Sequence, residues 1–170
     1  EMCIRDSSIN PQTLSDEVLA AIGRRHTAQD VLDCFAQARR LGHGNINMDL
    51  IAGLPLDTPA RFAQTLQGVL ALAPENITVH TLTLKRASNL VIEHAPNAYG
   101  DVARMLDSCA LLGENGYEPY YLYRQKGTLQ NLENTGYTRP GYVGLYNVFI
   151  MEEVHTILSA GAGGSTKLVG

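Results

Sequence analysis

The 170-residue chain lacks three features that would each have pointed to a function class. It has no apolar run near the roughly 20 residues that a membrane-spanning helix requires, and no charged head followed by an apolar stretch of the signal-peptide kind. Positive charge is not in surplus, because 13 Lys and Arg stand against 17 Asp and Glu, a net charge of -4. Non-specific affinity for nucleic acid comes from neutralising phosphates with many cations, so the charge gives no reason to expect that partner. Cysteine is scarce. Cys3, Cys34 and Cys109 are an odd, widely separated set with no C-x-x-C pair and no C-x-x-x-C-x-x-C run, which excludes a disulfide framework and leaves no metal motif. These absences describe a cytoplasmic chain with reduced thiols. Cys34 and Cys109 both fall at apolar positions of helical patterns, where cysteine behaves as a small hydrophobe.

With 45% hydrophobic and 18% charged residues the chain lies outside the disordered regime, and its length suits one domain. All eight tyrosines lie from Tyr99 onward, so the two parts of the chain are built differently.

The first part alternates short apolar runs with helical patterns. Ser8 to Asn10 reads as the end of a strand. Thr13 and Asp16 form a T-x-x-D signal before a helix carrying Val18, Leu19 and Ile22, and Thr27 and Asp30 repeat it before a second helix with Val31, Phe35, Ala38 and Leu41 inward. Gly42 or Gly44 ends that helix. Ile46 to Ala52 is a short apolar strand, Thr58-Pro59 opens a third helix through Ala73, and the β-branched run from Ile77 to Leu84 is the next strand. A fourth helix carries Val102, Met105, Leu106, Cys109 and Leu112 and stops at Gly116. Pro119 to Tyr123 is a further strand. Repeated βα units with short loops imply an α/β fold with a parallel sheet, either a barrel or a doubly wound sheet. Residues 124 to 143 read as a long polar loop, and Tyr146 to Met151 and Thr156 to Ser159 as two last short strands. No internal repeat or interdomain linker interrupts the chain.

Asp49 is the most informative residue of the first part. A carboxylate inside an apolar strand must be paired, neutralised or turned to a ligand. Strand alternation puts Asn47, Asp49 and Ile51 on one face and Ile46, Met48 and Leu50 on the other, so Asp49 either faces a ligand, caps a helix or pairs with a buried Arg. Gln12 follows the end of its own strand, and Arg24 and Arg25 close the first helix, where cations also suit the helix dipole. His80 is ambiguous, since a lone His in an apolar strand is more often a satisfied core residue than a ligand. The terminal G-A-G-G-S-T-K is not a phosphate loop, because Thr166 precedes Lys167 and no helix can follow in the few residues left. Tyr120-Tyr121-Leu122-Tyr123-Arg124-Gln125-Lys126 sets aromatic faces beside two cations, which suits either a conjugated ligand carrying carboxylates or a plain surface strand.

S-I-N-P-Q-T (8–13), I-G-R-R-H-T (22–27), N-I-N-M-D-L-I-A-G-L-P (45–55), T-V-H-T-L-T-L-K-R (78–86), P-Y-Y-L-Y-R-Q-K (119–126), N-L-E-N-T-G-Y (131–137) and I-M-E-E (150–153) together resemble the later half of a radical S-adenosylmethionine (SAM) protein. The resemblance is to the oxygen-independent coproporphyrinogen III oxidase family, in its coproporphyrinogen dehydrogenase branch. It implies residues 8–124 as the later half of a partial (β/α)6 barrel and 125–170 as a family-specific C-terminal region, with 1–7 a non-matching head. The family's C-x-x-x-C-x-x-C loop, which holds a 4Fe-4S cluster, is absent from this sequence, and Cys3 alone cannot replace three ligands. The chain is therefore expected to be a C-terminal fragment, inactive alone.

The resemblance places Gln12, Arg24 and Asp49 at SAM-contacting positions, although a one-residue slip would exchange Arg24 and Arg25. It implies reduction of SAM by the cluster to a 5'-deoxyadenosyl radical. Hydrogen removal from a porphyrinogen propionate follows, and loss of carbon dioxide and one electron leaves a vinyl group. No catalytic protein residue is assigned. Arg86, Tyr123, Arg124 and Lys126 are the candidates for the carboxylated substrate, and an electron donor is the implied partner. The alternatives are a radical-SAM-like protein that binds or delivers haem without decarboxylation, and a βα-barrel piece without redox chemistry.

Overall fold

A computed structural model of the chain describes residues 7–82, 101–123, 132–152, 155–161 and 164–169. Its elements are β1 (Ser7–Gln12), α1 (Asp16–Ala21), α2 (Ala28–Arg40), β2 (Ile46–Ala52), α3 (Pro59–Leu72), β3 (Asn76–Thr81), α4 (Val102–Asp107), α5 (Ala110–Glu114), β4 (Glu118–Tyr123), β5 (Asn134–Thr138) and α6 (Leu145–Glu152). The described strands form one five-stranded sheet in the order β1-β2-β3-β5-β4. The first three are mutually parallel, as expected of βα units, whereas β5 runs antiparallel to both β3 and β4. The sheet is therefore mixed. The segment read from sequence as a long polar loop contains β5, which separates β4 from the parallel strands.

Alternation along β2 sets the two faces. Ile46, Met48, Leu50 and Ala52 are buried against Val31 and Phe35 of α2, Phe62, Leu66 and Val69 of α3, and Val102 and Met105 of α4. Each large apolar side chain buried this way contributes about 1.5–3 kcal/mol. Asn47, Asp49 and Ile51 lie on the opposite face and are half-buried. Helices α2, α3 and α4 thus cover one side of the sheet, and the polar positions of the central strands are left on the other.

Local signals explain most of the boundaries. Thr27 and Asp30 make the expected reciprocal capping box, and Gly42 leaves α2 with a positive φ of 87°. Thr58 accepts from the Arg61 N–H at the head of α3, with Pro59 at its first position. The start of β2 is anchored by Glu75, whose carboxylate meets Arg39 at 2.8 Å and accepts from the Ile46 N–H at 2.9 Å.

Several expectations are corrected. Ser15, not Thr13, precedes α1, and Thr13 is buried with its hydroxyl 3.2 Å from that of Thr65, so tertiary bonding overrides the T-x-x-D signal. The Asp16 carboxylate instead accepts from the Ala28 N–H at 2.7 Å, tying α1 to the start of α2. Leu41 and Cys34 are exposed, while Cys109 is buried. The fourth helix is broken at Ser108–Cys109 into α4 and α5, although Cys109 and Leu112 still reach the core. Tyr146 to Met151 belongs to helix α6 rather than a strand, and around Thr156 to Ser159 only the antiparallel bridge Ile157–Lys167 forms.

A bulge tunes the β4–β5 edge. Pro119 pairs with Tyr137 and Tyr121 with Gly136, so Tyr120 is the extra residue and the register beyond it shifts by one. Tyr121 then lies across Gly136, where a Cβ would fall 1.9 Å from the tyrosine ring. Gly136→Ala is expected to cost about 1–3 kcal/mol by overpacking, measured by urea denaturation. That cost should largely vanish in a Tyr121→Ala background; an unchanged cost would show that the ring is not the obstacle.

Asp57, in the turn after β2, is 3% exposed. Its Oδ1 accepts from the Thr58 N–H at 2.9 Å, and Oδ2 has no partner among the described residues. Burial pushes its carboxyl up to about 6, against the opposing pull of the Thr58 N–H and of Arg61. Because the folded chain then holds this proton more tightly than the unfolded one, the group's contribution is fully present below pH 4 and is lost as pH rises through about 6. Wild-type stability minus that of Asp57→Asn should therefore fall by up to about 3 kcal/mol between pH 4 and 7.

Candidate functional site

The uncovered face of the sheet carries a cavity of about 550 Å³, within the range of small-molecule sites. Its wall runs from Asn45 and Asn76 at the starts of β2 and β3, beside Gly144 and Asn147 at the head of α6, to Asp49, His80, Tyr121 and Tyr123 further along the strands. The alternation that buries the apolar residues of β2 forces Asn47 and Asp49 to this side. Parallel pairing sets Asn47 beside Asn76, Asp49 beside Thr78 and Ile51 beside His80. The next rung pairs Thr78 with Gly136, and the bulge brings Tyr121 opposite Gly136. Asp49, Thr78, Gly136 and Tyr121 thus form one row across four strands.

Two polar arms converge on Asp49. In the first, Thr78 donates its hydroxyl to Asn47 Oδ1 at 2.9 Å, and Asn47 Nδ2 donates to Asp49 Oδ1 at 2.7 Å. Tyr121 lies 3.2 Å from the Thr78 oxygen, and because the Thr78 proton is committed to Asn47, the phenol is the donor. In the second, His80 Nε2 faces Asp49 Oδ1 at 3.6 Å while His80 Nδ1 lies 3.2 Å from the Tyr123 hydroxyl. Ser8 completes the floor, accepting from Asn47 at 3.2 Å and donating to Asn10 at 2.7 Å. The Tyr121 and Tyr123 rings are stacked, 6.2 Å apart and 15° from parallel.

The electrostatics match this geometry. Burial raises the pKa of Asp49, but hydrogen bonding from His80 and Asn47 and the charge attraction of the imidazole outweigh it, so the carboxyl lies below the ordinary range. Burial pushes both phenols up, with the Asp49 charge adding to the effect, so they stay protonated at neutral pH. The wall therefore offers one ionised carboxylate and two neutral phenols beside stacked rings. It is equipped to accept hydrogen bonds from hydroxyl or ammonium groups and to cover a flat apolar surface.

Of the residues expected from sequence, Asp49 and Tyr123 line this cavity, and the hydrogen bond that Asp49 accepts there comes from Asn47 rather than from a helix N-terminus or an Arg. Gln12 sits at the end of β1 with a positive φ of 68°, buried, its amide 3.4 Å from the Asn10 carbonyl and outside the cavity wall. Arg24 is exposed in the loop between α1 and α2 and likewise does not line the cavity. Arg86, Arg124 and Lys126 lie outside the described residues. His80, read from sequence as more often a core residue, is a wall residue, and Asn47, Thr78 and Tyr121 were not singled out as site residues. The available signal was polarity at every second position of consecutive strands: Asn47 and Asp49, then Asn76, Thr78 and His80, then Tyr121 and Tyr123.

Among the described residues no group of three His, Cys, Asp or Glu side chains is placed to hold a metal ion. Cys34 is exposed on α2 and Cys109 is in the core behind the sheet, so the described thiols do not fit an iron–sulfur cluster. No helix among these residues is long and apolar enough to cross a membrane.

No family model matches the chain. It is 46% identical over 166 residues to the oxygen-independent coproporphyrinogen-III oxidase-like protein HemZ of Bacillus subtilis, a match covering 95% of this chain and 33% of that protein. It is 36% identical over 78 residues to the heme chaperone HemW of the same organism, covering 46% of this chain and 21% of the relative. Its fold matches the solved structure of coproporphyrinogen III oxidase HemN from Escherichia coli, a radical SAM enzyme, with a TM-score of 0.66 at 24% identity over 89% of this chain and 33% of the other. The chain thus spans about a third of the length of HemZ and HemN. The sequence match along nearly the whole chain shows that it belongs to the family of oxygen-independent coproporphyrinogen III oxidases and their like, and its fold is the one seen in HemN.

Proposed function

We propose that the cavity is a SAM-binding surface and that the chain serves, within a longer protein, the oxidative decarboxylation of coproporphyrinogen III propionates to vinyl groups. The observation that carries this reading is the ionised Asp49 at the meeting point of two hydrogen-bonded arms, on the open face of a sheet shared with a radical SAM enzyme. An acceptor of this kind suits the ribose hydroxyls or the ammonium group of SAM, and the stacked Tyr121 and Tyr123 rings would lie beside the ligand's flat parts. The residues present therefore fit SAM. When bound, SAM supplies the hydrogen-abstracting chemistry. The chain's own residues orient the ligand through Asp49, restrict water with the tyrosine wall, and keep the carboxylate charged by hydrogen bonding.

Gln12 and Arg24 belong to the end of β1 and the loop beyond α1, and we place them where SAM extends past the cavity. Arg86, Arg124 and Lys126 are proposed to meet the substrate carboxylates, because the described cavity wall contains no Lys or Arg. The thiols described, one exposed on α2 and one in the core, do not fit the cluster. An electron donor and a cytoplasmic setting complete the reading.

A haem-handling role without decarboxylation is the second reading, favoured by the HemW match over 46% of the chain. In the complete protein, anaerobic turnover of coproporphyrinogen III with release of carbon dioxide supports the first reading. Haem binding with no turnover establishes the second.

Asp49→Asn, which preserves shape and removes the charge, is expected to weaken binding of S-adenosylhomocysteine by at least about tenfold in calorimetry, roughly the loss of a charged hydrogen bond. Unchanged affinity in the folded variant would remove the SAM assignment of this cavity. Arg124→Ala combined with Lys126→Ala should weaken porphyrinogen binding and leave S-adenosylhomocysteine affinity as it was.

A further inference from the structure

His80 makes two contacts that point in opposite directions. Nε2 faces the Asp49 carboxylate on β2 at 3.6 Å, and Nδ1 lies 3.2 Å from the Tyr123 hydroxyl on β4. The two strands it links are not neighbours, since β5 runs between β3 and β4. Tyr123 reaches His80 across β5 and meets it at a 6.4 Å ring separation in an edge-on arrangement.

A neutral imidazole carries one N–H and one lone pair, and which nitrogen holds the proton is set by the partners of both. Asp49 is ionised and can only accept, so the favourable place for the imidazole proton is Nε2. Nδ1 is then a lone pair, and the Tyr123 hydroxyl must turn its proton toward it. The other arm has the same polarity, since Tyr121 donates to Thr78, Thr78 to Asn47, and Asn47 to Asp49. With both phenolic protons engaged, the oxygens of Tyr121 and Tyr123 keep only lone pairs for the cavity.

We infer that His80 is a positioning residue of this site, held as the Nε2–H tautomer between Asp49 and Tyr123, and that it makes the tyrosine wall accept hydrogen bonds from the ligand rather than donate them. The role toward the ligand rests on the SAM reading above, whereas the tautomer does not. The ligand class selected is one presenting N–H or O–H groups to the wall, and carboxylates or bare carbonyls are disfavoured there. Protonated His80 would donate from both nitrogens, releasing the Tyr123 proton into the cavity and reversing that oxygen's role.

The test is nitrogen-correlated NMR of the imidazole rings in the full 170-residue chain at pH 8, where an ordinary imidazole is neutral. The expected result is an Nε2–H tautomer at His80 whose unprotonated Nδ1 resonance shifts in Tyr123→Phe. A dominant Nδ1–H tautomer, or resonances insensitive to both Tyr123→Phe and Asp49→Asn, overturns the inference. As a second measurement, the carboxyl carbon of Asp49 is titrated in variants. His80→Phe should move its midpoint upward, and His80→Gln, which keeps an N–H toward the carboxylate but not the imidazole's charge, should bring part of that shift back; equal midpoints in all three proteins overturn the positioning role. S-adenosylhomocysteine affinity should fall about tenfold in His80→Phe. If Asp49→Asn leaves that affinity intact while the tautomer is as expected, the SAM reading fails and the tautomer assignment stands.

Discussion

The Asp49 carboxylate is the constraint around which the polar side of the sheet is organised. A charge held in the middle of a sheet is costly unless hydrogen bonds replace the water it loses, and Asp49 can only accept. Every group near it must therefore donate, and that requirement passes outward along each arm. Asn47 uses its amide protons on Asp49 and Ser8, so its carbonyl oxygen must be fed by Thr78, and Thr78 in turn by Tyr121. One ionised group thus orders hydroxyl and amide orientations over four strands, and the result is a wall with a single polarity. The same logic explains why the carboxyl lies below its ordinary range despite burial that acts the other way.

The network depends on details of packing remote from the charge. Tyr121 can reach Thr78 only by crossing β5, and the crossing is possible because Gly136 has no side chain in its path. Tyr121 lies opposite Gly136 only because Tyr120 is bulged out of the ladder; in a regular register Tyr120 would take the place opposite Gly136 and Tyr121 would pair with Thr135, on the other face. Tyr120, the extra residue, is not idle. Its hydroxyl accepts from Asn147 of α6 at 2.9 Å, and its ring stands edge-on to Tyr121 at 4.7 Å. The antiparallel strand that breaks the βα rhythm is therefore the support that lets aromatic residues lean over the parallel strands.

These same features separate what was legible in the sequence from what was not. The limits of β2, its two-faced alternation and the capping box at Thr27 and Asp30 follow from neighbours in the chain, and all were readable. Asp49 was readable because a charge in an apolar strand is itself an anomaly. β5 was not, since Asn-Thr-Gly-Tyr-Thr is polar, carries a glycine and forms a strand through tertiary pairing on both sides, with β4 and with β3 more than fifty residues away. The apolar run in α6 was ambiguous between strand and helix because short apolar segments carry no period. His80 misled for a related reason: its significance comes from Asp49 and Tyr123, which only the strand order brings within reach. Thr13 shows the opposite failure, a local capping signal overruled when Thr65 offered its hydroxyl a buried partner.

The polarity of the wall bears on how labour is divided within the protein. A cavity whose described wall has a carboxylate, phenols and amides but no Lys or Arg is well matched to donors such as hydroxyl and ammonium groups and poorly matched to anions. On the proposed function, a tetracarboxylate substrate brought directly against Asp49 would set like charges together in a poorly solvated place, which is unfavourable. The cations of this chain with the right sequence neighbourhood, Arg86, Arg124 and Lys126, all lie beyond the ends of β3 and β4, downstream of the residues that build the wall. On the proposed function, a ligand rich in hydrogen-bond donors would fall to alternating positions within the strands, where backbone pairing fixes geometry, and the substrate carboxylates to cations outside them.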